Sequence, residues 1–136
     1  MSRRKARILA FQALYSYDVG GESLDELLSL KWAEEKTPQD AMDFARILIS
    51  GTINHLSEID SLIKKHLTGR WEFERVNKVS VAILRMSVFA LLYQKDTSAS
   101  IIIDEAIGIS KEFGTDDSFK FINAVLDTIR KEIESE

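Results

Sequence analysis

Cysteine is absent from this 136-residue chain, which excludes a disulfide framework, thiolate metal ligation and a cysteine nucleophile together. Proline occurs once and glycine six times, too few turn formers for a many-turned β-sandwich and in keeping with long helices. Long apolar runs are missing as well. The longest mostly apolar stretch, Val79 to Tyr93, contains Arg85 and falls short of the roughly 18 residues that mark a membrane span. Met1-Ser2-Arg3-Arg4-Lys5 is followed by no signal-type apolar region or cleavage site, so no membrane association is read and the cytoplasm is the expected compartment. Histidine stands only at 55 and 66, a spacing that suits no common metal site, and His55 with Glu58 and Asp60 reads as solvated helix face. Nucleophile-elbow, phosphate-loop and dinucleotide-binding glycine motifs do not occur. The acid pairs Glu34-Glu35 and Asp116-Asp117 are adjacent, so on a helix they diverge by about 100° and cannot flank a substrate. The expectation is a binding protein that uses no catalytic residue, no metal and no cofactor.

What is present is a globular composition, 45% apolar and 29% charged, in a chain long enough to bury a core as one unit over 1–136. Its charge is unevenly spread. Residues 1–17 carry Arg3, Arg4, Lys5 and Arg7 with no acid, a net +4 that leaves −8 for the remainder of a chain totalling −4. Residues 18–43 hold eight acids against Lys31 and Lys36. A basic arm ahead of an acidic block suits an anionic partner, and a short solvated tail remains the alternative.

Helix signals recur throughout, with no two-residue alternation long enough for a strand. Ser2 opens a first helix that Gly20-Gly21 ends. A capping box at Ser23–Glu26 opens a second, from Leu24 to about Ala33. Thr37-Pro38 reads as N-cap and first helical residue of a third, which bends or restarts near His55-Leu56-Ser57 and stops at Gly69. Arg70 to Arg75 is a short irregular segment with Trp71 and Phe73 turned inward. The helix near Val76 to Gln94 is apolar almost all round and belongs at the centre of the fold. Ser98 or Ser100 starts a sixth helix ending at Phe113-Gly114, and Thr115 caps a last one with Asp116 and Asp117 in its first turn. The fold class is all-α, about seven helices around one central hydrophobic helix.

Some residues fit folding alone poorly. Ile8, Phe11, Leu14 and Tyr15 are the core candidates of the first helix, beside the basic ridge. On the last helix Phe121 lies off the stripe of Phe119, Ile122, Leu126, Ile129 and Ile133, between Lys120 and Asn123. A ring, a cation and an amide together suit single-stranded nucleic acid, while Phe121 with Val125 as a second buried face is the other reading. Arg85, inside the most apolar helix, needs a carboxylate, and Glu105 is the expected partner.

Arg3-Arg4-Lys5-Ala6-Arg7 followed by Phe11-Gln12-Ala13-Leu14-Tyr15 resembles the opening of the NusB family of transcription antitermination factors. So do Ile83-Leu84-Arg85-Met86, Asp104-Glu105-Ala106 with Ser110-Lys111-Glu112-Phe113-Gly114, and Asp117-Ser118-Phe119-Lys120-Phe121-Ile122-Asn123-Ala124-Val125-Leu126-Asp127. The resemblance runs in order along the whole chain. It implies two small antiparallel helical bundles sharing one core, and binding of boxA-type single-stranded RNA together with NusE, a ribosomal small-subunit protein. It also implies entry into the RNA polymerase antitermination complex, without catalysis. By position, Arg3, Arg4, Lys5 and Arg7 fall on the family's basic RNA-binding motif, and Tyr15, Asp117, Lys120 and Phe121 near its RNA. Glu74, Arg75 and Ser80 fall in the region that meets NusE. Four cations on phosphates predict a salt slope of roughly −3.

The chain departs from the family at Asp104 for Asn, Ala124 for Gly and Ala90 for Glu, and 96–100 lacks the usual proline. Two other roles remain open. One is a recognition module like those of RNA methyltransferases; the other is a homodimeric protein adaptor whose basic arm meets its own acidic block.

Overall fold

The computed structural model describes residues 3–33, 36–67, 72–115 and 117–136. Among them are seven α-helices and one 3₁₀ turn, with no strand, in agreement with the all-α expectation. Helix α1 (Arg3–Gly20) buries Ala6, Leu9, Ala10, Phe11, Ala13 and Leu14, a stripe at helical spacing. Tyr15 lies outside that stripe and is exposed, and Ile8 is half-buried. Ser2, the expected cap, lies outside the described residues.

In α2 (Leu24–Ser29) the Ser23 side chain accepts the Glu26 N–H at 3.2 Å, as the capping box predicts. The helix stops short of Ala33 because Leu30 turns left-handed, with φ at 52°, and drops its side chain into the core. Left-handed backbone costs a leucine roughly 1–2 kcal/mol, which burying its side chain offsets. Helix α3 (Gln39–Asn54) starts after Pro38, which occupies the cap position itself. Thr37 does not cap it; its hydroxyl is buried and without a partner.

The expected restart lies at His55, which closes α3 and opens α4 (Leu56–Lys65). Its N–H reaches the Gly51 carbonyl at 3.1 Å, and its own carbonyl accepts the Ile59 N–H at 3.0 Å, so the chain turns without a loop. Helix α4 ends at His66 rather than at Gly69, which lies outside the described residues together with Trp71. Phe73–Arg75 forms the 3₁₀ turn.

Helix α5 (Lys78–Tyr93) is the centre: every residue from Ser80 to Leu91 is buried. Its first turn is fixed by the Asn77 side chain, which accepts the Val79 and Ser80 N–H groups. On one side it packs against α1 and α3, with α2 covering them; on the other it meets α4, α6 (Ala99–Phe113) and α7 (Ser118–Glu134). Two bundles thus share α5. The Phe89 ring of α5 lies directly on Gly51 of α3, where an added Cβ would stand 2.2 Å from it. Only glycine permits that approach.

Arg85 is 8% exposed and is held by α4 and α1, not by Glu105. Its Nε and Nη2 donate to the two carboxylate oxygens of Asp60 at 2.9 and 2.8 Å, and Asp18 stands 3.6 Å from Nη1. The expected partner fails for a geometric reason. A helix covered on all sides gives no periodic clue to which neighbour its cation faces, and Arg85 faces α4 while Glu105 faces the start of α1. Asp60 is thereby also removed from any ligand set with His55.

Ser98 caps α6 through the Ile101 N–H at 3.4 Å. The start of α7 differs from expectation. Thr115 is not its cap; Asp117, at φ 61°, is the residue before the helix and makes no side-chain capping bond. Aspartate tolerates the left-handed region better than most residues, which lets the chain reverse tightly between α6 and α7.

Candidate nucleic-acid interface

The basic arm is the first turn of α1, and it is anchored. The Arg3 guanidinium sits 3.8 Å from the centroid of the Phe44 ring on α3, a cation–π contact at an exposed site. Arg4 forms an ion pair with Glu105, its Nε donating to Oε2 at 2.6 Å, and its guanidinium lies flat on Gly108. A Cβ on Gly108 would stand 2.5 Å from Arg4 Nη2, so the small residue makes room for the arginine. Arg7 is 7% exposed and donates from Nη1 to the other Glu105 oxygen at 3.2 Å. Burial pulls the Arg7 guanidinium below its usual range while the Glu105 charge pushes back, and it remains a cation. Lys5 is half-buried. Two of the four cations therefore share one carboxylate from α6, and the arm is not a loose tail.

The start of α7 forms the second part. Asp117 and Lys120 are exposed and 3.6 Å apart. Phe121 is half-buried: one side packs on the core, and the ring lines a groove of about 460 Å³ with Asp117, Lys120, Ala124, Val125, Thr128 and His66 of α4. Phe121 and Val125 thus form a second face on the helix, with Val125 its buried member. At the groove's edge Glu132 accepts from Lys65 at 2.6 Å and from His66 at 3.0 Å. Those two hydrogen bonds hold its carboxyl below the ordinary range.

A third contact joins the two parts. Phe113, the last residue of α6, is 38% exposed, and its ring lies 5.2 Å from Phe11 of α1. Tyr15, one turn beyond Phe11, is 37% exposed. The Ser110 and Ser118 hydroxyls bond at 2.8 Å and fix the α6–α7 junction. Exposed rings and cations thus flank the contact of α1 with α6, while the groove runs along α7 against His66. Phe113 and His66 escape sequence reading: Phe113 sits in a helix-ending Phe-Gly pair, and His66 signals nothing when only metal spacing is asked of it.

The expected partner region lies elsewhere. Glu74 and Arg75 are exposed in the 3₁₀ turn, Arg75 3.5 Å from Glu72. Ser80, expected with them, is only 3% exposed, because the first turn of the central helix is already covered there, so its side chain offers no partner surface. Asp104 and Ala124 are exposed, whereas Ala90 is buried. Among the described residues no three histidine or acidic side chains are grouped to hold a metal ion. No helix among them is long and apolar enough to cross a membrane.

The sequence pattern of the NusB family matches residues 4–131. The transcription antitermination protein NusB of Treponema denticola is 51% identical over 132 residues, covering 96% of each chain. A solved structure of T. maritima NusB superposes with a TM-score of 0.87 at 37% identity, covering 97% of this chain and 92% of that one. A crystal structure of antitermination factors NusB and NusE in complex with dsRNA matches at 30% identity and a TM-score of 0.85, covering 96% of both chains.

Proposed function

The chain belongs to the NusB family, and on that premise we propose that it is a non-enzymatic transcription antitermination factor that binds boxA-type RNA together with NusE. The groove along α7, where Phe121, Lys120 and Asp117 stand together, carries this reading. Phe121 supplies a stacking plane and Lys120 a phosphate contact. Arg3, Arg4 and Lys5 meet further phosphates, and Tyr15 adds an exposed ring on the same helix as the arm. Arg7, nearly buried against Glu105, acts by holding the arm's pose. With Lys120 in place of Arg7 the direct cations still number four, and the salt slope stays at roughly −3, at ~0.7 per contact for single strands. Asp117 repels phosphate and limits affinity. Glu74 and Arg75 form the NusE side, without the buried Ser80. The RNA–NusE assembly then joins elongating RNA polymerase in the cytoplasm.

The test is an RNA titration at two salt concentrations, using boxA-type, scrambled and duplex RNA, each with and without NusE. Selective, salt-sensitive binding that NusE strengthens is the expected result. Equal weak binding to all three RNAs in the presence of NusE would overturn the proposal. A dimer dispersed by RNA would show only that self-association competes for the same arm.

A further inference from the structure

A second groove, of about 330 Å³, lies between α1 and α2 and has the opposite character. Gln12 and Ser16, one turn apart on α1, form one wall; Glu22 and Glu26 form the other, Leu27 lines it between them and Trp32 closes one end. Trp32 is 42% exposed, a large apolar surface left in water on a chain that buries most of its aromatic area. The ring is not loose: its indole N–H donates to the Leu27 carbonyl at 3.3 Å, which anchors one edge of the indole and leaves its faces free of that bond. Glu22 and Glu26 are exposed and pair with no cation among the described residues, and they sit in the block of 18–43 with eight acids to two lysines. The groove therefore offers a fixed aromatic plane, two carboxylates without counter-charge, an amide and a hydroxyl.

These groups select one chemistry. A guanidinium stacks on an indole through cation–π attraction and directs its edge N–H groups into carboxylates, and its alkyl stem suits the apolar Leu27. Phosphate is refused by the same two carboxylates, which separates this groove from the α7 groove with its lysine. The volume admits a side chain or two and not a folded surface. The chain's own Arg4 and Arg7 are already engaged by Glu105. We propose that the α1–α2 groove docks an arginine-bearing segment of a partner protein, with a guanidinium on Trp32 and its N–H groups on Glu22 and Glu26. The site is independent of RNA binding and of the region around Glu74 and Arg75.

The test uses the full chain labelled with ¹⁵N and a blocked hexapeptide of glycine and serine carrying two arginines, with a citrulline peptide of the same shape as control. The expected result is a saturable shift of the Trp32 indole resonance and of the Gln12 and Ser16 amides, weakened by salt and absent with citrulline. Trp32→Ala, and separately the double variant Glu22→Gln with Glu26→Gln, should each weaken binding about tenfold. Both alter exposed side chains and leave the core intact. Shifts scattered over the acidic surface without saturation would overturn the proposal, as would equal affinity in the variants. Single-stranded RNA moving the same resonances would overturn it too. So would a self-dimer that moves them without peptide, since the occupant would then be a second copy.

Discussion

Arg7 and Glu105, 98 residues apart in sequence, meet at 3.2 Å, and the same carboxylate also takes Arg4. One acidic side chain on α6 therefore sets the direction of half of the basic cluster on α1. Replacing Glu105 by glutamine keeps its shape and removes its charge, leaving the nearly buried Arg7 without a counter-ion. The predicted loss is about 1–3 kcal/mol of stability, read as a lower urea midpoint with an unchanged slope. A variant as stable as the parent would show that Arg7 finds water or another acid.

The contact of Phe89 with Gly51 makes a sharper prediction. Alanine in a helix interior is favoured over glycine by about 1 kcal/mol, so Gly51→Ala would stabilise an open site. Here the new methyl meets the Phe89 ring, and overpacking of about 1–3 kcal/mol wins. Pairing it with Phe89→Leu should recover part of the loss, and a thermal-unfolding double-mutant cycle measures the coupling.

For the RNA face, Phe121→Ala should cost about 1–3 kcal/mol of binding while the chain stays folded. Asp117→Asn should act in the opposite direction, tightening binding by removing a repulsive charge from an exposed position. Fluorescence anisotropy with a labelled boxA-type strand reads both. Unchanged affinity in a folded Phe121→Ala variant would move the RNA off α7.

Acid should weaken the join between α4 and α7. The Glu132 carboxyl is held below its ordinary value of 4.5, chiefly by the Lys65 hydrogen bond and then by His66. A depressed carboxylate contributes stability that is fully present above the ordinary value and lost as pH falls through the folded one. Comparing urea midpoints of the parent and Glu132→Gln should show a gap at neutral pH that closes below pH 4.5. A gap that persists at low pH would mean that packing, not charge, carries the contact.

Several caps and stripes were legible in the sequence: Ser23 and Ser98 bond as read, and Ile122, Leu126 and Ile129 are buried as read, whereas Thr37 and Thr115 do not cap and the Asn77 cap of α5 went unread. Where a tertiary neighbour decides, the outcome was not legible. Leu30 ends α2 early because the core takes its side chain, a choice that no local signal records. Asp60 looked like solvated helix face until α5 placed Arg85 against it. The sequence sets Phe121 beside Lys120 and Asn123, but the groove that it lines also includes His66, the residue that closes α4, which no local signal brings there. Phe113 joins the surface only through Phe11, more than a hundred positions earlier.

A ribosome makes α1 well before α6. Until α6 emerges, Arg4 and Arg7 have no Glu105 to meet, Phe11 has no Phe113 above it, and the Phe44 ring of α3 is the nearer hold for Arg3. The nascent segment of α1 to α3 therefore presents its cations in whatever directions solvent allows, and the arm takes its final pose only once α6 has emerged. The order in which these residues are made is thus the reverse of the order in which their surface is set.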